Sequence, residues 1–125
     1  MDENLVNIDL TYFYAITGGD KAFEQLLLTG TIADIDDKIS AFKNAWKEKD
    51  AASIRSNAHS LISLSAIVGI TEIEDYSKRI DRAFGDYNFH PELSKLADFI
   101  IAAWHIAQVK LKSIIAGISL QIALP

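Results

Sequence analysis

The side chain with the clearest capacity for chemistry is His59, in the middle of a stretch whose apolar residues recur at helical spacing. On a helical wheel that turns about 100° per residue, the apolar stripe lies opposite His59, so the imidazole is predicted to face solvent. An exposed imidazole can act as a nucleophile, because one ring nitrogen is free near neutral pH. An ordinary surface histidine has the same geometry, so the wheel alone leaves both interpretations open. The apolar stripe comprises Ile54, Leu61, Leu64, Ser65 and Val68, and the residues around His59 are Arg55, Ser56, Ile62, Ser63 and Ala66.

The other residues that could catalyse reactions or bind metals are scattered. The chain has no cysteine, which excludes a disulfide framework and a thiolate metal or redox site. His90 precedes a proline in a predicted loop, and His105 has no second ligand at metal spacing. Asp34, Asp36 and Asp37 form a short acidic run that a solvated helix face explains. We therefore predict no metal site and no cofactor held by this chain itself.

Length and composition fit one domain over residues 1–125, with a core from about residue 8 to residue 115. The net charge is −5 and no basic stripe is present, which argues against nucleic-acid binding. Charged and polar residues interrupt the apolar stretch from about Leu96 to Leu124, which predicts an amphipathic core helix rather than a membrane span. The acidic start, Met1 to Asn4, is unlike a signal peptide, so we expect a cytoplasmic protein.

Apolar residues three and four apart predict an all-α protein with one short helix followed by four longer ones. Asp20 and Asp50 are suited to cap the second and third helices, and Gly69 is suited to end the third. Thr71 and Glu74 form a capping box for the fourth helix. Short connections favour antiparallel neighbours, so the predicted fold is an antiparallel four-helix bundle with a short N-terminal helix. The predicted helices run from about Asp9 to Thr17, Lys21 to Lys49, Ala51 to Val68, Thr71 to Phe84 and Pro91 to Ile115, with Gly117 ending the last.

The sequence around the exposed histidine has a recognisable pattern. Ala58, His59 and Leu61, followed by Ser65 and Gly69, resemble the core motif of histidine-containing phosphotransfer (HPt) domains. That motif has alanine, histidine and leucine, then lysine and glycine, then a serine and a second glycine about ten residues after the histidine.

Two upstream dipeptides extend the resemblance without a gap over about residues 8–115. Gly19-Asp20 is similar to the Gly-Asp start of the family's second helix. Lys49-Asp50 is similar to the Gly-Asp turn before the histidine helix, with lysine in place of glycine.

The resemblance implies a phosphotransfer protein rather than a true enzyme. His59 would be the phosphoacceptor, taking a phosphoryl group from the aspartate of a response-regulator receiver domain and passing it to another receiver. The receiver would supply Mg²⁺, and a hybrid histidine kinase is a further implied partner. Arg55, Ser56, Ile62, Ser63 and Ala66 would surround the phosphoacceptor and bind the partner. The resemblance to this family also leads us to expect that the protein is a monomer.

The chain departs from the family at two positions beside the histidine. Ile62 stands where the family has a lysine that neutralises the phosphoryl group, and Ser63 stands where it has a glycine. Arg55, or Lys43 or Lys47 on the preceding helix, could supply the missing charge. These departures leave an alternative open, a degenerate helical adaptor that binds receiver or kinase domains without transferring phosphate. A di-metal four-helix bundle is disfavoured, because no Glu-x-x-His motif occurs in the sequence.

Overall fold

A computed structural model describes residues 6–124. Met1 to Leu5, which include the acidic start, and Pro125 lie outside the described residues. The all-α prediction is confirmed, since the described part has no strand beyond one isolated antiparallel bridge between Ile8 and Ile70. The helices are α1 (Thr11–Thr17), α2 (Lys21–Lys47), α3 (Ala51–Ile67), α4 (Thr71–Ala83) and α5 (Ser94–Ala123), with single 3-10 turns at Phe84–Asp86 and Pro91–Leu93.

The four long helices form the predicted antiparallel bundle. Each of α2, α3 and α4 packs on the next helix in the chain, and α5 packs on both α4 and α2. Two side-chain hydrogen bonds join α2 to α5: Gln25 donates to Ser119 Oγ at 2.8 Å, and Trp104 Nε1 donates to Asp36 Oδ1 at 3.1 Å. The bundle therefore closes on itself, with α2 beside both α3 and α5.

Local capping explains where α2 and α3 begin. The side chain of Asp20 accepts a hydrogen bond from the backbone N–H of Phe23, and that of Asp50 accepts one from Ser53, both at 3.1 Å. These bonds satisfy backbone donors that have no partner inside the helix. Lys49, at the position of the family's glycine, has φ of 56°, in the left-handed region that glycine adopts most readily.

The predicted cap of α4 is wrong. Thr71 is the first helical residue rather than the N-cap, and Ile70 occupies the cap position with no side-chain hydrogen bond. Ile70 is fully buried and pairs with Ile8, so tertiary packing rather than a hydroxyl cap determines where this helix starts.

Gly69 lies at a close approach between two backbone segments. Its φ is +66°, and the Asp9 backbone N–H donates to the Gly69 carbonyl at 3.0 Å. A Cβ atom at this position would lie 1.6 Å from the Asp9 carbonyl oxygen. Glycine is therefore needed both to end α3 and to let the segment before α1 lie against this turn.

The fifth helix differs from its predicted bounds at both ends. Pro91–Leu93 forms a 3-10 turn, and the α-helix continues through Gly117 to Ala123. The prediction that Gly117 ends the helix is wrong because Ile118 is buried and Ser119 bonds to α2, which holds the last turns in place. By length and composition α5 is apolar enough to cross a membrane, a property shared by core helices. Its inward face, including Ile100, Trp104 and Leu111, lies in the bundle core.

The short leading helix closes one end of the bundle through a single aromatic side chain. Phe13 is fully buried, whereas Tyr12 and Ile16 on the same helix are 58% and 38% exposed. The largest fully buried side chains are Trp104, Phe13, Phe42, Phe84, Leu28, Ile35, Ile54, Leu61, Ile70, Ile73, Ile80 and Ile100.

Candidate functional site

His59 projects from the middle of α3 into solvent, as the wheel predicts. Its side chain is 75% exposed, although Ala58 and Leu61 beside it are fully buried. The ring is held at one atom, since His59 Nδ1 lies 2.9 Å from Asp81 Oδ2 on α4. A carboxylate only accepts hydrogen bonds, so this contact favours the tautomer with the proton on Nδ1 and the lone pair on Nε2. Nε2 has no hydrogen-bond partner among the described residues, so this atom is chemically able to act as a nucleophile.

The other oxygen of Asp81 faces Arg55, one helical turn before His59. Arg55 Nε and Asp81 Oδ1 lie 3.3 Å apart as an ion pair. Both atoms are shielded from solvent, and neither makes an aligned hydrogen bond in the described part of the chain. We therefore regard the contact as electrostatic rather than as a directed hydrogen bond. One carboxylate thus holds the imidazole with one oxygen and the guanidinium with the other.

Tyr87 completes the chain of contacts from the loop between α4 and α5. Arg55 Nη1 donates to the Tyr87 hydroxyl at 2.8 Å, and the guanidinium carbon lies 5.2 Å from the centre of the ring. Tyr87, Arg55, Asp81 and His59 therefore form a continuous series across α3, α4 and the following loop.

Two open grooves flank His59. The first, which we call the Arg55 groove, has a volume of about 340 Å³ and carries the arginine and the tyrosine hydroxyl. The second, the Asp34 groove, has a volume of about 570 Å³ and is bordered by α2. The Arg55 groove is lined by Ala52, Arg55, Ser56, His59, Ser60, Asp81 and Tyr87, and the Asp34 groove by Asp34, Asp37, Lys38, His59, Ser60, Ser63 and Leu64.

The structure places the predicted binding residues around His59 but with different exposure. Ser56 and Ser63 are exposed, while Ile62 and Ala66 are half-buried. Ile67, a neighbouring apolar side chain on α3, packs against the core. Ile62 is half-buried but does not pack on the core of the described residues, so part of its side chain is available to a partner.

The prediction that Lys43 or Lys47 approaches His59 is wrong. Lys43 and Lys47 line a different groove, between α2 and α5, together with Trp46. The lysine that shares a groove with His59 is Lys38, which belongs to the acidic stretch of α2. Residues 38 and 43 are five apart, about 140° around a helix, and therefore face different neighbours.

Sequence reasoning missed Asp81 and Tyr87. Asp81 is as far after Ile70 as His59 is before it, eleven residues in each case. Residues at equal distances from the turn of an antiparallel helix pair lie opposite each other. The position of Asp81 opposite His59 was therefore predictable from the sequence. Tyr87 offered no comparable signal, because its position depends on the conformation of an irregular loop.

That loop is held by a second histidine. His90 Nε2 lies 2.9 Å from Asp86 Oδ1, His90 Nδ1 lies 3.1 Å from Glu92 Oε1, and the ring packs edge-on against Phe84. The Asp86 hydrogen bond is the main reason that the pKa of His90 is raised above its usual 6.5. The pKa of Asp86 is lowered, chiefly by the backbone N–H of Asn88 and then by His90. Within residues 6–124, no cluster of histidine and carboxylate side chains has the arrangement of a metal site.

Comparison with protein-family models found no match, and comparison with curated protein sequences found no significant match. Solved structures do resemble the chain. One is the HPt domain of a sensor hybrid histidine kinase from Shewanella, with a TM-score of 0.76 and 13% identity, covering 93% of this chain and 97% of that one. The fold is that of histidine phosphotransfer domains.

A second HPt structure agrees. Histidine-containing phosphotransfer protein B (HptB) of Pseudomonas aeruginosa PAO1 has a TM-score of 0.75 and 18% identity, covering 87% of this chain and 94% of that one. At these identities the likeness concerns the HPt fold, and the chemistry has to be argued from the residues of this chain.

Proposed function

We propose that this protein is a phosphorelay intermediate in which His59 accepts a phosphoryl group from a receiver-domain aspartate and passes it to another receiver. The observation that carries the proposal is the exposed His59 ring with its Nδ1 atom held by Asp81 at 2.9 Å. The HPt fold and the motif around His59 support it independently. The whole chain, residues 1–125, would act as one domain in the cytoplasm.

The transfer step follows from the orientation of the ring. The Nε2 lone pair forms a bond to phosphorus while the bond between phosphorus and the donor's aspartyl oxygen breaks, and the electron pair leaves with the donor carboxylate. The Nδ1 proton stays in place, so the phosphorylated ring carries positive charge next to Asp81. Asp81 thereby maintains the reactive tautomer and stabilises the charge that forms, as a carboxylate does for an imidazole in other nucleophilic sites.

The partner would provide the rest of the site. We infer that the receiver brings Mg²⁺ and most of the groups that stabilise the transferring phosphoryl group. Arg55 and Ser56 would lie on the phosphoryl side of His59, and Ile62, Ser63 and Ala66 would contact the receiver. A half-buried apolar side chain at the centre of a polar surface is a common anchor in transient interfaces. A monomer would suffice for this role.

One observation favours a second candidate, a degenerate adaptor that binds receivers or kinases without transfer. Ile62 stands at the position of the family's lysine and provides no positive charge beside the phosphoacceptor. Such an adaptor would keep the docking surface and lose the reaction.

The deciding experiment is transfer from a phosphorylated receiver to the purified protein, with His59→Gln as the control. We expect acid-labile, base-stable label on the wild type and none on the variant. Receiver binding without label, across several receivers, would replace the relay by the adaptor.

A further inference from the structure

Tyr87 is an exposed aromatic residue in an unusual backbone conformation. Its φ is +59°, and 61% of its surface is exposed. A bulky residue in the left-handed region is strained, and such strain is kept mainly where the position has a role. The backbone N–H of Tyr87 donates to the Phe84 carbonyl at 3.0 Å, and Phe84 itself is fully buried. The ring is thus held over the surface by a well-anchored turn.

Tyr87 and Asp81 hold the Arg55 guanidinium from three sides. The hydroxyl accepts from Arg55 Nη1 at 2.8 Å, the ring lies under the guanidinium, and Asp81 approaches Arg55 Nε from the third side at 3.3 Å. In the described part of the chain, no hydrogen bond occupies Nη2. Three contacts therefore fix the guanidinium while one of its two NH₂ groups is left to bind a ligand.

Arg55 is well placed to bind a phosphoryl group on His59. Residues four apart on a helix have Cβ atoms about 5–6 Å apart on the same face. Both side chains line the same open groove of about 340 Å³. An arginine held in advance binds a phosphoryl oxyanion with less loss of side-chain freedom than a mobile one.

We propose that Tyr87 is a positioning residue that holds Arg55 as the cation of the phosphohistidine site, in place of a positive charge at Ile62. This inference rests on the proposed function, since it assigns where the phosphoryl oxygens bind. Once Nε2 carries the phosphoryl group, Arg55 pairs with its oxygens from the Arg55 groove. The Asp34 groove has two carboxylates and one lysine, Lys38, so its net negative charge disfavours the same dianion.

A small-molecule phosphoryl donor tests the His59 site without a protein partner. Phosphoramidate transfers its phosphoryl group to an imidazole: a bond from Nε2 to phosphorus forms, the original nitrogen–phosphorus bond breaks, and ammonia leaves. The full chain is compared with Tyr87→Phe, which keeps the ring, and with Tyr87→Asn, which removes it but tolerates a left-handed backbone. Tyr12→Phe and Tyr12→Asn are matched controls, because Tyr12 is equally exposed (58%) but lies on α1.

We expect the labelling rate of His59 to fall about three- to tenfold in Tyr87→Asn and by less in Tyr87→Phe, with both Tyr12 variants unchanged. A second readout is the phosphorus NMR titration of the phosphohistidine. Loss of a fixed guanidinium raises the pKa of the phosphoryl oxygens, which a merely structural change does not. Arg55→Gln should reproduce both effects, and Arg55→Lys should show smaller changes than Arg55→Gln.

Wild-type rates and an unchanged phosphorus titration in Tyr87→Asn would overturn the inference, even if receivers phosphorylate His59 normally. Tyr87-dependent labelling by phosphoramidate would support it, even if no receiver transfers to the protein, in which case the relay function alone fails. Absence of any label on wild-type His59 with phosphoramidate would overturn the assignment of this site.

Discussion

His59 and Asp81 lie eleven residues on either side of Ile70, and their side chains meet at 2.9 Å across the α3–α4 pair. The antiparallel hairpin brings them together, because residues equally far from its turn face each other. This contact favours one tautomer of an exposed surface histidine, the one with the proton on Nδ1. It also joins His59 to Arg55, since the second oxygen of Asp81 faces the guanidinium.

Replacing Asp81 by asparagine should slow phosphoryl acceptance by His59 about 10- to 100-fold, a typical effect of losing the carboxylate behind an imidazole. An amide neither enforces the Nδ1-protonated tautomer nor stabilises the charged ring. The rate is measured with a phosphorylated receiver, and nitrogen NMR of the ring reports the tautomer. Asp75→Asn, on an exposed position of the same helix, is the control. Equal rates for the two variants would contradict the role of Asp81.

Replacing Ile62 by aspartate should weaken receiver binding about tenfold or more, because a charge would replace an apolar anchor at the centre of the docking surface. The bundle should stay folded, since Ile62 is only half-buried. Affinity is measured by titration calorimetry, with circular dichroism as a check on folding. Val109→Asp serves as the control at a 70% exposed position on α5. Unchanged affinity in Ile62→Asp would remove this residue from the interface.

Replacing Gly69 by alanine should lower the free energy of unfolding by about 2–4 kcal/mol, from backbone strain and the clash with Asp9. The opposite sign is expected for Gly117→Ala, where a Cβ has open space inside a helix and stability should rise by about 0.5–1 kcal/mol. Urea unfolding of both variants checks the pair. A mild effect at Gly69 would mean that the segment before α1 is not docked as described.

The His90 cluster should make stability depend on pH. Because the pKa of His90 is raised in the folded protein, its contribution is fully present below the unfolded value of 6.5 and is lost as the pH rises through the folded value. The stability difference between wild type and His90→Gln should therefore shrink from pH 5.5 to pH 8.5 in urea unfolding. His105→Gln, at an exposed position on α5, should show no such trend. A constant difference for His90→Gln would mean that its contacts with Asp86 and Glu92 are not formed.

Several features were predictable because they depend on residues close together in the chain. Asp20 and Asp50 bond to backbone donors three residues later, and the wheel that exposes His59 spans one helix. The helical period and these caps established the all-α fold and the position of the candidate nucleophile. The same local reasoning failed at Gly117, where contacts with α2 outweigh the low helix propensity of glycine.

Local patterns in the sequence were enough to predict the number of helices, their antiparallel order and the exposure of His59. The groups that surround this histidine follow from the packing of the helices. Asp81 and Tyr87 reach the site from other elements, and Lys38 rather than Lys43 faces it, because helix register and loop conformation set these distances. Contacts between residues far apart in the chain depend on how whole helices pack, and no local pattern in the sequence encodes that packing on its own.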